Sequence, residues 1–162
     1  MQAKPIASPR RQSAPRADAA GYIARGGECA YFGVKLVSRV LGTLYDDALR
    51  PVGLRASQLT LLWAVAALEP VDLGRLSRVT LTDQTTLSRT VEKLRSARLV
   101  SVRQGDDRRV RILRLTAAGR RRFAAAMPYW ELAQQRAGEL MPLGRIRALA
   151  RRVRRAAHQT AN

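Results

Sequence analysis

One cysteine, one histidine and eight Phe, Tyr and Trp residues in 162 positions leave little material for several kinds of chemistry. Cys29 has no partner for an intrachain disulfide, so no secreted disulfide scaffold is implied. His158 is the sole histidine, and no His/Cys/Asp/Glu set stands at metal-ligand spacing, so no metal site is expected. No Gly-rich phosphate loop follows a strand, and Asp46-Asp47 has neither a catalytic partner nor an obvious helix to cap. The expectation is a protein that is not an enzyme and carries no cofactor. No apolar run approaches the roughly 18–20 residues of a membrane span, and no apolar stretch follows the N-terminal basic residues as in a signal peptide. A cytoplasmic location without membrane attachment is expected.

Acidic residues are also scarce: twelve Asp and Glu face thirty Lys and Arg, for a formal charge of +18. Only Lys4, Lys35 and Lys93 are lysines, so the excess is almost all arginine. A field this positive attracts polyanions over a screening length of about 8–10 Å. Phosphate backbones are the first expected partner and anionic membrane surfaces the second.

Along the chain, residues 1–27 hold Pro5, Pro9 and Pro15, five basic residues against Asp18, and hardly any large apolar side chain. They read as a disordered basic arm. From Glu28 to Leu49, Val34, Val37, Leu41, Leu44 and Ala48 recur in steps of three and four, an amphipathic helix stopped by Pro51 and Gly53. Ser57 reads as the N-cap of a second helix with Leu59, Leu62, Trp63 and Ala66 on one stripe. Asp72 reads as the cap of a short third helix, and Thr82 as the cap of a fourth, with Asp83 at its positive end. In the fourth helix Leu87, Val91 and Leu94 form the core stripe, while Thr85, Arg89, Lys93 and Ser96 point away from it and Thr86 and Ser88 flank them. A short helix, a tight turn and a longer helix with a polar, basic outer face is the helix-turn-helix pattern.

The period then changes. Leu99–Val102 and Val110–Leu115 read as strands joined by the polar loop 103–109, a charged hairpin or wing. Thr116 reads as the cap of a fifth helix bearing Phe123, Met127, Trp130 and Leu132, which Pro128 is expected to kink. Ile146, Leu149, Val153 and Ala156 mark a final basic helix. The fold class read from this order is mostly α with a small β-hairpin wing. The Arg120-Arg121-Arg122 run and the later arginine pairs read as solvated helix faces.

Asp107-Arg108-Arg109 followed by Leu115-Thr116-Ala117-Ala118-Gly119 resembles the D-x-R…L-T-x-x-G signature of the MarR (multiple antibiotic resistance regulator) family, and Thr82–Arg89 resembles its recognition helix. The likeness spans roughly residues 29–155. It implies one domain over 28–162, with a winged helix-turn-helix core at about 54–116 and dimerisation helices at about 28–50 and 117–157. It also implies a homodimer bound to a palindromic operator in double-stranded DNA, with the recognition helix in the major groove and the wing in the minor groove. The expected function is a sequence-specific transcriptional regulator, a repressor released by a small aromatic or anionic effector.

On that basis the DNA-binding candidates are Thr85, Thr86, Ser88, Arg89, Lys93, Asp107, Arg108, Arg109 and Arg111. Arg89 is placed to read guanine bidentately or to meet phosphate. Lys93, Arg108 and Arg111 suit phosphate, and Arg109 suits the narrow minor groove with Asp107 orienting it. Tyr31, Arg39, Tyr45 and Trp63 are candidate effector-lining residues, each also explicable as core or surface. Cys29 is a candidate thiol sensor. The peroxide-sensing branch of the family, however, places its cysteine at the position of Tyr31 by ungapped count. Two other readings stay open: a sequence-independent basic nucleic-acid-binding protein, and a thiol-based redox-sensing repressor.

Overall fold

A computed structural model describes residues 25–105 and 110–159, the side chains of 157–159 excepted. Most of the basic arm, the wing tip 106–109 and the imidazole of His158 lie outside the described residues. A 3-10 turn, Arg25–Glu28, leads into α1 (Ala30–Leu49). There follow a second 3-10 turn (Arg50–Val52), α2 (Ala56–Leu68), β1 (Val71–Asp72), α3 (Leu73–Thr80) and α4 (Gln84–Ser96). The chain then forms β2 (Val100–Gln104), β3 (Arg111–Leu115), α5 (Ala117–Leu140) and α6 (Leu143–Gln159). No single helix among these is long and apolar enough to cross a membrane.

The chain divides into two compact units, one of residues 41–135 and the other of the chain on either side of it. In 41–135 the core is built from Leu62 and Val65 of α2, Leu76 of α3, Leu87, Val91 and Leu94 of α4, and Leu113 of β3, all at 3% exposure or less. The α4 stripe is therefore buried as its spacing requires. On α2 the stripe holds in part: Leu59 and Leu62 are buried as expected, but Leu61 and Val65 are buried too and Trp63 is 40% exposed. Trp63 instead meets the rings of Phe123 and Trp130 of α5 edge-on, at 5.5 and 5.1 Å. On α5, Ala126 and Ala133 are buried whereas Leu132 is exposed. The helix runs unbroken through Pro128.

Capping also departs from the expected residues. Helix α2 begins at Ala56, not after Ser57, and its first amide donates to the carboxylate of Asp46 at 2.7 Å. Asp46 also holds Arg55 at 2.9 Å, so a residue with nothing to cap in its own helix caps the next one through space. The N-cap of α4 is Asp83 rather than Thr82: its carboxylate accepts from the Thr86 amide at 2.8 Å. Asp72 caps α3 as expected, accepting from the Arg75 amide at 2.8 Å.

The three strands form an antiparallel sheet in the order β1-β3-β2, with Val71 opposite Leu113 and Val100 opposite Leu115. β1 adds a strand to the expected hairpin. At the foot of the hairpin, Thr116 donates its hydroxyl to the Arg98 carbonyl at 2.7 Å and accepts from the Gly119 amide at 2.9 Å, capping α5. A Cβ at Gly119 would stand 1.9 Å from the Leu99 carbonyl oxygen, so only glycine lets α5 start this close to the α4–β2 junction. The L-T-x-x-G residues thus form the joint that mounts the wing.

In the second unit, α6 and the ends of α1 and α5 present apolar side chains to solvent. Tyr31, Phe32, Val34, Leu36, Leu140, Leu149 and Val153 are each more than half exposed. Ala137 is the one buried apolar residue found there among the described residues.

Candidate nucleic-acid interface

The turn that aims α4 is short and tied at both ends. Leu81 takes a left-handed conformation (φ 52°), and the Ser77 hydroxyl donates to the Thr82 carbonyl at 2.7 Å across it. Asp83 then fixes the first turn of α4. Hydrogen bonds from the Thr86 amide and hydroxyl hold the Asp83 carboxyl below the usual carboxylate range, outweighing a small loss of solvent. Thr86 is therefore engaged in capping, while Thr85 is exposed beside it.

The exposed face of α4 meets β3 along a groove of about 530 Å³ lined by Ser88, Arg89, Glu92, Lys93 and Arg111. Four of the residues singled out in the sequence, from two separate elements, are thus brought to one place. Neither Arg89 nor Lys93 enters an ion pair among the described residues, which leaves both cations available to an external anion. Asp107, Arg108 and Arg109 belong to the wing tip outside the described residues.

A neighbouring hollow of about 330 Å³ is lined by Glu92, Arg95, Val102, Arg103, Gln104 and Arg111. Glu92 and Arg95 form a two-point pair at 2.6 and 2.9 Å, and the Arg95 hydrogen bond is the main reason the Glu92 carboxyl is held low. Arg95 and Arg103 escaped the sequence reading. Arg103 falls at the loop edge, where alternation ends, and Arg95 points to this hollow only because β2 folds back along α4. Glu92 is the one acidic residue lining either hollow, and it is paired with Arg95.

The arginine run at the start of α5 is not a uniform solvated face. Arg122 donates to the Val52 carbonyl at 2.6 Å and Arg120 pairs with Glu69 at 2.5 Å. The Glu69 carboxyl also accepts from the Leu115 amide at 2.7 Å. Burial alone would push this carboxyl up, but the Leu115 and Arg120 bonds, with the charges of Arg120 and Arg114, hold it below the usual range.

Of the effector candidates, Tyr45 and Trp63 line one concavity of about 300 Å³ with Leu41, Gly42, Leu59, Thr60 and Trp130. Tyr31 and Arg39 lie in the other unit, Tyr31 with the Lys35 ammonium 5.4 Å from its ring centre. Cys29 is exposed at the start of α1, its carbonyl accepting from the Gly33 amide. No group of metal-binding side chains occurs among the described residues.

A family model for a winged helix DNA-binding domain matches residues 54–119, from just before α2 to the joint at Gly119. No curated protein sequence matches the chain. Among solved structures, the transcriptional regulator MosR of M. tuberculosis, crystallised in complex with DNA, is 31% identical with a TM-score of 0.72, over 82% of this chain and 98% of that one. BpsR of Bordetella bronchiseptica is 22% identical with a TM-score of 0.68, over 82% of this chain and 96% of its own. AbsC of Streptomyces coelicolor, a MarR family transcriptional regulator, is 21% identical with a TM-score of 0.65, over 83% of this chain and 93% of its own. A helix-turn-helix aimed outward, a three-stranded wing base and an identity above 30% over nearly all of MosR together establish that this chain belongs to the MarR family of winged-helix transcriptional regulators, a family of DNA-binding proteins and not of enzymes.

Proposed function

We propose that the protein is a homodimeric, sequence-specific binder of double-stranded DNA that represses transcription by occupying a palindromic operator. The observation that carries this reading is the groove in which Ser88, Arg89 and Lys93 of α4 meet Arg111 of β3, with two cations free of internal partners. A helix in the major groove puts Arg89 within reach of guanine O6 and N7, while Lys93 and Arg111 meet the phosphates on either side. Arg108 and Arg109, with Asp107 orienting Arg109, are assigned by the family signature to the neighbouring phosphates and minor groove. Two copies related by a two-fold axis address half-sites about 34–36 Å apart, and a dimer of that span excludes other proteins from the DNA beneath it.

The dimer itself is supported by the exposed apolar stripes on α1 and α6, and the DNA reading by the DNA-bound state of MosR. Release by a small aromatic effector is supported by the concavity between Tyr45, Trp63 and Trp130, whose size suits one aromatic ring. In BpsR, DNA binding is regulated by 6-hydroxynicotinic acid, a ligand of that class. The deciding experiment compares affinity for the chain's own upstream promoter with affinity for random duplex. A ratio of about 10³ or more is expected of a specific regulator. A ratio near one makes the protein a sequence-independent nucleic-acid binder instead.

A further inference from the structure

The foot of the wing is completed by a side chain outside the DNA-facing groove. β1 is only two residues long, pairing Val71 with Leu113 and Asp72 with Ile112. Continued by two residues, that antiparallel register sets Glu69 opposite Leu115. The main chain cannot extend the ladder there. The Glu69 amide turns back to the Val65 carbonyl at 2.9 Å to close α2, and Pro70 has no N–H to give. The Glu69 carboxylate supplies the missing acceptor: Oε2 takes the Leu115 amide at 2.7 Å and Oε1 pairs with Arg120 at 2.5 Å. One carboxylate thereby joins the end of α2, the last residue of β3 and the first turn of α5.

This is not an ordinary surface ion pair. The Glu69 side chain is 13% exposed and Leu115 is 7% exposed, so losing the acceptor leaves a buried amide unpaired. Arg120 also stands at the positive end of the α5 dipole, where an unopposed cation is disfavoured.

We propose that Glu69 is the positioning residue of the wing: by bonding Leu115 and Arg120 together it sets the angle at which the β2–β3 hairpin leaves the body, and with it the place of Arg111 opposite Arg89. The proposal rests on the reading of that groove as the DNA surface.

Electrostatics supplies a test with opposed signs. Glu69→Leu removes both acceptor oxygens and raises the net charge by one, so a bystander role tightens DNA binding or leaves it unchanged, whereas a positioning role weakens it. Full-length Glu69→Leu protein is compared with the parent by operator binding, thermal melting and amide exchange at Leu115 measured without DNA. The expected result is a folded protein whose Leu115 amide exchanges about tenfold faster and whose operator affinity falls about tenfold, as for loss of a coupled network. Unchanged or tighter binding overturns the proposal. If Glu69→Leu does not fold, Arg120→Gln decides against Arg121→Gln, a neighbouring exposed arginine with the same change of charge. Weaker binding by Arg120→Gln alone supports the positioning role, and equal losses overturn it. Should the parent itself show no affinity for duplex, the groove reading fails, and the Leu115 exchange still tells whether Glu69 holds the wing.

Discussion

The two units of the chain handle their apolar side chains in opposite ways. Of the eighteen buried apolar residues among the described ones, all but Ala137 lie within 41–135. Of the twelve large apolar residues left exposed, nine lie in the other unit: six on α1, Leu140 at the end of α5, and Leu149 and Val153 on α6. The first unit is finished by its own sequence and holds α4 and the wing on a packed base. The second, among the described residues, consists of helices that leave most of their large apolar side chains exposed. On α6 the apolar residues Ile146, Leu149, Val153 and Ala156 share one side, and Arg147, Arg151, Arg154 and Arg155 take the other. Uncovered stripes of this extent mark protein–protein contact surfaces. On the proposed reading, one chain thereby combines a packed DNA-binding head with helices that pair it with a second copy.

The sharpest way to break this contrast is to put charge on the second unit. Leu149→Glu with Val153→Glu removes four apolar side chains per dimer at about 1.5–3 kcal/mol each, a loss of roughly 6 kcal/mol or more. Light scattering is expected to show the mass fall from two chains to one while circular dichroism stays helical. An unchanged mass places the contact elsewhere. The first unit is attacked at its joint. Gly119→Ala drives a methyl group into the Leu99 carbonyl, at a cost of about 3 kcal/mol and a Tm lower by roughly 10 °C. A melt like the parent's would mean that α5 can shift freely against the wing.

Much of the first unit was legible in the sequence because its elements carry local signals. The Leu87/Val91/Leu94 stripe, the Asp72 cap, the break at Leu81, the hairpin and the Thr116 cap all follow from neighbours in the chain. What was not legible depends on residues far apart. β1 is too short for an alternating pattern and is defined only by its partner Leu113, 42 residues away. The buried face of α2 was only half legible: Leu59 and Leu62 are buried as expected, but Leu59–Leu68 is apolar on almost every side, so periodicity neither added Leu61 and Val65 nor excluded Trp63. Asp46 and Glu69 look idle in sequence, since the amides they accept from become neighbours only after folding. In the site, Arg89 and Lys93 were legible from the helical wheel, and Arg95 was not, because only the return of β2 gives it a hollow to line.

Smaller effects refine the comparison. Asp46→Ala strips the first turn of α2 of its acceptor and is expected to cost about 1–2 kcal/mol by thermal or denaturant melting, leaving the dimer intact. A mass change here would tie the α1 cap to the pairing unit. The smallest expected change is a gain: Leu81, half exposed and held at φ 52°, pays a steric cost that glycine does not. Leu81→Gly is expected to raise stability by about 0.5–1 kcal/mol, and a loss would show that the leucine side chain has a packing role.

On the proposed reading, Arg89 in the α4–β3 groove reads a base. The direct measurement is binding of parent and Arg89→Ala proteins to an operator whose base pairs are varied one at a time. The expected result is that the parent discriminates by about 1–3 kcal/mol at one base pair in each half-site, and that the variant loses the preference there alone. Uniform weakening across every sequence would make Arg89 a phosphate contact and contradict the assignment.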